Sequence, residues 1–157
     1  MSAFVENDSV IQSADIAVRI ERIEAQEAIR RLVYEYSHGF DKREPDRFVA
    51  VWTENAFWSA GPGHEASGRT AIREAAEAMW EQLGPTHHWS CNPVVDIHGA
   101  EATAVTNVHA VAQGSDGAWT QTAATYRDRF ERVDGVWLLA RRSTETHHTF
   151  SIAAVPA

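Results

Sequence analysis

A single cysteine, Cys91, stands in the whole chain, so no internal disulfide can form and no cysteine-based zinc site is available. Apolar runs are short, and none approaches the ~20 residues that a membrane-crossing helix needs. The amino terminus, MSAFVENDSVIQSAD, has neither the basic start nor the apolar stretch of a secretion signal. Basic residues are scarce as well: 14 Lys and Arg stand against 22 Asp and Glu, a formal charge of −8, and no basic stretch stands out. A surface that collects phosphates is therefore not expected, which argues against nucleic acid and anionic membranes as partners. Also missing are a phosphate-binding glycine loop, HExxH, CxxC and GxSxG. Histidine is plentiful, at 8 residues, but His87-His88 and His147-His148 are adjacent pairs in strand-like runs, where neighbours point to opposite faces. A converging metal set is not expected, and the reading is a cytoplasmic protein with no cofactor.

What is present fits one globular domain of 157 residues, with 44% hydrophobic and 23% charged residues. Residues 1–14 are polar and aperiodic and read as a flexible arm; the domain spans 15–148, and 149–157 form a tail. From Asp15 to about Phe40 the pattern is helical, with Ile29, Leu32, Val33, Tyr36 and Phe40 at steps of three and four. Gly39 and Pro45 stop that helix, and Pro45–Trp52 reads as a short second one. Residues 56–60 read as a short strand. A third helix, Thr70 to Leu83, shows Ile72, Ala75, Ala76, Met79 and Leu83 on one face and ends at Gly84-Pro85. Strand-like runs follow at 86–97, 101–113, 118–133 and 136–148, and Asp134-Gly135 marks a tight hairpin. About three helices first and the sheet last predict an α+β fold with a curved antiparallel sheet and an internal pocket. In the run 118–133, Thr122, Ala124, Tyr126, Asp128 and Phe130 share one face, while Gln121, Thr125, Arg127, Arg129 and Glu131 share a solvent-like one.

Three residues could carry chemistry. Asp41 closes the first helix, where a carboxylate opposes the helix dipole by ~0.3–1 kcal/mol; it is either a solvated turn residue or a functional one. His88 opens the first long strand, and an imidazole that titrates near neutrality becomes a useful base when a carboxylate sets its tautomer. The alternative is a hydrogen-bonded or wet histidine at a strand end. Arg142 shares a strand face with Leu138 and Ala140 in the plain alternating pattern, and either pairs with a carboxylate or stabilises developing negative charge. The aromatics Tyr36, Phe40, Trp52, Phe57, Trp58, Trp80 and Trp89 read first as core, with some lining the pocket.

The order of these pieces resembles the SnoaL-like branch of the nuclear transport factor 2-like superfamily, cone-shaped α+β domains that include scytalone dehydratase, the lindane dehydrochlorinase and polyketide cyclases. The similarity covers roughly residues 15–145. Gly39-Phe40-Asp41-Lys42-Arg43, Thr86-His87-His88-Trp89 and the segment from Tyr126 to Trp137 carry it. The resemblance implies that Asp41 orients His88, that His88 removes a proton, and that Arg142 assists a departing group. The dehydrochlorinase has lysine where this chain has Tyr36, which argues against halide departure. Scytalone dehydratase has tyrosine at Phe40 and serine near Ala124, so scytalone is not the expected substrate. His109 and Tyr126 are candidates to restore the lost polarity.

The resulting expectation is a cofactor-independent lyase or isomerase acting on a small cyclic or aromatic, apolar molecule. His88, Asp41 and Arg142 are the catalytic set, and Tyr36, Phe40, Trp58, Trp89, His109 and Tyr126 line the pocket. A polyketide-cyclase-like aldol closure and a non-catalytic binding or assembly domain of the same fold remain alternatives. The resemblance also implies a homo-oligomer, trimer or dimer.

Overall fold

The computed structural model describes residues 2–152, with side chains from Asp15 onward. Met1 and the end of the tail, 153–157, lie outside the described residues, and the backbone of the arm read at residues 1–14 is helical from Ser2. Helix α1 (Ser2–Asp41) runs along the sheet, and Ala25, Ile29, Val33, Tyr36 and Phe40 are buried on the side that packs. Their three- and four-residue spacing puts them on one helical stripe. Burying each large side chain of this kind stabilises the fold by about 1.5–3 kcal/mol.

Helix α1 is closed by backbone bonds from Lys42 N–H to the His38 carbonyl (3.0 Å) and from Glu44 N–H to the Gly39 carbonyl (2.9 Å). Helix α2 (Pro45–Ala50) follows, with proline in its first turn and Phe48 buried. The second helix read from the sequence reached Trp52. In the structure Trp52 instead opens strand β1 (Trp52–Ser59), with its indole fully buried. Strand β2 (Glu65–Ser67) carries no period a sequence could reveal and pairs antiparallel with β1. Helix α3 (Arg69–Gln82) buries Ile72, Ala76 and Trp80. Four long strands complete the chain: β3 (Thr86–His98), β4 (Glu101–Gln113), β5 (Trp119–Val133) and β6 (Val136–Ile152).

The six-stranded sheet has the order β2-β1-β6-β5-β4-β3. The expectation of an all-antiparallel sheet needs correction, because β1 pairs parallel with β6. The sheet is mixed and curved, it does not close on itself, and the helices cover its concave face. This is the nuclear transport factor 2-like arrangement.

Two irregularities in the β5–β6 ladder decide which side chains reach the interior. Arg129 pairs with Arg141 but Phe130 pairs with Leu139, so Ala140 is an extra residue in β6. The bulge shifts the alternation by one. Arg142 therefore points inward with Leu139, opposite Asp128, and does not share a face with Leu138, which pairs with outward-facing Glu131. Further along, Ala123 pairs with His148 and Ala124 with Thr146, leaving His147 as the extra residue. Its Nε2 lies 2.8 Å from Thr125 Oγ1, and Thr125 is buried despite the solvent-like face on which it falls. As expected, Ala124, Tyr126, Asp128 and Phe130 are buried, and Arg127 and Arg129 are exposed.

Candidate active site

Between the helices and the concave face of the sheet lies a cavity of about 240 Å³. Helix α1 contributes Tyr36 and Phe40, β1 contributes Trp58, and α3 contributes Met79, with Leu83 just beyond it. The sheet contributes Thr86, His88, Val108, Ala110, Thr122, Ala124, Tyr126, Thr144, Thr146 and Thr149. Cross-strand partners rank these residues by depth. His88, Ala110, Thr122 and Thr149 form one row across β3, β4, β5 and β6. Thr149 is exposed, so this row borders the mouth. Tyr126 lies four positions further along β5 and is 3% exposed, which makes it part of the floor.

Asp41 ends α1 within reach of the start of β3. Its Oδ1 accepts from Thr86 Oγ1 at 2.8 Å and lies 2.6 Å from His88 Nδ1, and its Oδ2 accepts from the His88 backbone N–H at 2.7 Å. Three donors on one carboxylate, each worth about 1.5–3 kcal/mol when the acceptor is charged, outweigh the helix-dipole penalty. Burial pushes the Asp41 carboxyl up, but the hydrogen bonds and charge of His88, with help from Thr86, more than offset it and hold the carboxyl below the usual range. An acceptor-only carboxylate at 2.6 Å requires the proton to sit on Nδ1. Nε2 is then the basic nitrogen, and it has no protein hydrogen-bond partner among the described residues. The Phe40 ring meets the imidazole edge-on at 5.6 Å and fixes its plane.

Arg142 is fully buried and bidentate on Asp128, with Nε to Oδ1 at 2.8 Å and Nη2 to Oδ2 at 2.6 Å. The guanidinium lies over both the Tyr36 and Tyr126 rings, 4.1 and 4.0 Å from their centroids, in the corner where the two rings meet edge-on. Burial works against its charge, yet the Asp128 carboxylate beside it more than compensates and keeps it firmly protonated. Of the two readings left open by the sequence, pairing with a carboxylate is the one observed. The guanidinium lies behind the two tyrosines rather than in the cavity wall; its Nη1 is buried with no protein acceptor among the described residues. Desolvation pushes both phenols up, Tyr126 most strongly, so they stay neutral.

Tyr36, Phe40, Trp58 and Tyr126 thus line the cavity. Trp89 and His109 do not. They pair across β3 and β4 one position out of step with His88 and Ala110, and so face outward, where their rings stack at 5.5 Å. Trp89 belongs to a separate outer groove with Tyr34, His38, Asp41 and Cys91, and that groove shares His88 with the cavity. Sequence reasoning missed Thr86 as a partner of Asp41, although its place two residues before His88 put both on one strand face. It also missed Asp128 as the partner of Arg142, because only the bulge brings them into register. Among the described residues, no group of three or more His, Cys, Asp or Glu side chains is arranged to hold a metal.

A family model described as a SnoaL-like domain matches residues 21–143. Hexachlorocyclohexane dehydrochlorinase 1 of Sphingobium indicum is 26% identical over 125 residues, 78% of this chain and 81% of its own. The crystal structure of a type 2 hexachlorocyclohexane dehydrochlorinase superposes with a TM-score of 0.83 at 21% identity, covering 87% of this chain and 95% of that one. A protein of Novosphingobium aromaticivorans provisionally named a scytalone dehydratase superposes with a TM-score of 0.76 at 25% identity, covering 87% and 93%.

Proposed function

Because the chain belongs to the SnoaL-like domain family, we propose that it is a lyase or isomerase that needs no cofactor and begins by taking a proton from a small cyclic or aromatic, apolar molecule. The observation that carries this reading is the 2.6 Å contact between Asp41 Oδ1 and His88 Nδ1 at the wall of a largely apolar cavity. His88 Nε2 is the base. Asp41 holds the imidazole in the tautomer that exposes Nε2 and stabilises the imidazolium once the proton arrives. Phe40, Trp58, Met79 and Val108 keep the substrate dry and hold its C–H against the base, and such orientation itself lowers the barrier. The electrons of the broken C–H bond then form a double bond and either expel a neighbouring group or are reprotonated elsewhere. The relatives named as dehydrochlorinases support elimination over isomerisation.

Proton NMR in D2O, with a panel of cyclic ketones, β-hydroxy ketones and halogenated cyclohexanes, provides the test. Wild-type protein should exchange or eliminate at least one member. His88→Gln should slow that reaction by about 10²–10⁴-fold while leaving the circular dichroism unchanged. Full activity in the variant contradicts the role of His88. Binding of a panel member with neither exchange nor elimination points instead to a non-catalytic binding domain.

A further inference from the structure

Resting on the proton-abstraction reading above, we propose that Tyr36 selects the substrate: from the cavity floor its hydroxyl donates a hydrogen bond to a neutral carbonyl or hydroxyl oxygen, while the C–H to be deprotonated stays level with His88. The first support is the hydrogen-bond inventory of the floor. Trp58 Nε1, which is a donor only, gives its proton to the Tyr36 oxygen at 3.0 Å. That bond occupies a lone pair and leaves the one phenolic proton of Tyr36 to be donated. Tyr126 sets a second hydroxyl beside it, its ring edge-on at 5.7 Å. Tyr36 is 3% exposed and lines the cavity, so bulk water does not compete for the proton.

The second support is charge. The polar groups of the cavity wall are hydroxyls, the threonines and tyrosines, and the one imidazole of His88; no lysine or arginine lines it. The cation closest to the floor, Arg142, is neutralised by Asp128 in a fully buried pair. A substrate carboxylate bound while His88 is still the neutral base would be desolvated with no counter-charge to meet it. A carbonyl or hydroxyl oxygen needs only a donor, and Arg142 beneath the Tyr36 ring at 4.1 Å strengthens that donor without entering the cavity. Burial keeps the phenol protonated, so Tyr36 acts as a hydrogen-bond donor rather than a proton source.

The third support is depth. Along α1, Tyr36 lies one turn from Phe40, away from the Asp41 end, and Phe40 is the residue that touches His88. The oxygen therefore enters first and the C–H stops beside the base. For a β-hydroxy ketone the step balances with no added reagent. His88 Nε2 takes the proton on the carbon beside the carbonyl, and the C–H electrons move onto the carbonyl oxygen held by Tyr36. As they return, the carbon–hydroxyl bond breaks, and the hydroxyl leaves as water with the proton that His88 carried. Tyr36 keeps its own proton throughout.

Calorimetric titration with α-tetralone, its exocyclic-methylene isostere and the matching carboxylate decides the matter. Wild-type protein should bind the ketone about tenfold more tightly than the isostere, as one well-formed hydrogen bond allows, and should bind the carboxylate most weakly. Tyr36→Phe should erase the ketone preference, and His88→Gln should keep it even where turnover is lost. A failure of the base assignment shows in the turnover of His88→Gln, and a failure of this proposal shows in binding. If Tyr36→Phe does not fold, the comparison within wild-type protein still stands. The proposal is overturned by no measurable ketone binding, by a ketone no tighter than its isostere, by a preference that survives in Tyr36→Phe, or by a carboxylate that binds best.

Discussion

A carboxylate on the last residue of a helix faces the negative end of the helix dipole, and Asp41 is held there by bonds to Thr86 and His88. Folding thus favours its ionised form, and its folded-state pKa lies below the unfolded one. The stability it contributes is complete above the ordinary carboxylate range, about pH 4. It is lost as pH falls through the lower folded value. Asp41→Asn is expected to cost about 1–3 kcal/mol near neutrality, from donors left poorly matched, and its deficit against wild type should shrink below about pH 4. Urea denaturation at several pH values measures this, and a deficit independent of pH contradicts it. The anomaly of Asp41 was visible in the sequence as a broken local rule. Its partner was not, since His88 lies 47 positions away, and only the family resemblance linked the two.

At the scale of elements, the contact between α1 and α2 depends on Gly39. A Cβ there would fall 2.7 Å from Phe48 N and 2.8 Å from Phe48 Cα, both backbone atoms that cannot swing aside. Alanine normally favours a helix over glycine by about 1 kcal/mol, but the clash should exceed this and give Gly39→Ala a net loss of about 1–3 kcal/mol. The midpoint of chemical denaturation reports the sign, and an unchanged or raised midpoint contradicts the close approach. The helices and the long strands were legible because their apolar periods are strong and their turns carry glycine. The β5–β6 hairpin shows this well, with Asp134 at φ 49° and Gly135 at φ 84°, the two positive angles its sequence calls for. The bulge at Ala140 was not legible. Nothing in Leu138-Leu139-Ala140-Arg141-Arg142 marks an extra residue, and a slip of one reverses every face beyond it. Trp89 needs no bulge to face outward: with His88 inward, plain alternation already turns it away from the cavity, and its β4 partner His109 goes with it.

For the molecule as a whole, the parallel pairing of β1 with β6 brings Trp58 beneath Tyr36 and completes the cavity floor. Contacts between such distant segments leave no local trace in a sequence, so the pocket was inferable as a property of the fold but not its lining. None of the described helices is long and apolar enough to cross a membrane. The Asp41–His88 contact ties the helical layer to the sheet at the cavity wall, and the proposed chemistry depends on it. Nitrogen-15 NMR of the imidazole, at a pH where the ring is neutral, tests that contact most directly. The account predicts a protonated Nδ1 with a strongly downfield proton, an unprotonated Nε2, and loss of the downfield signal in Asp41→Asn. A proton on Nε2, or a spectrum that Asp41→Asn leaves unchanged, would contradict it.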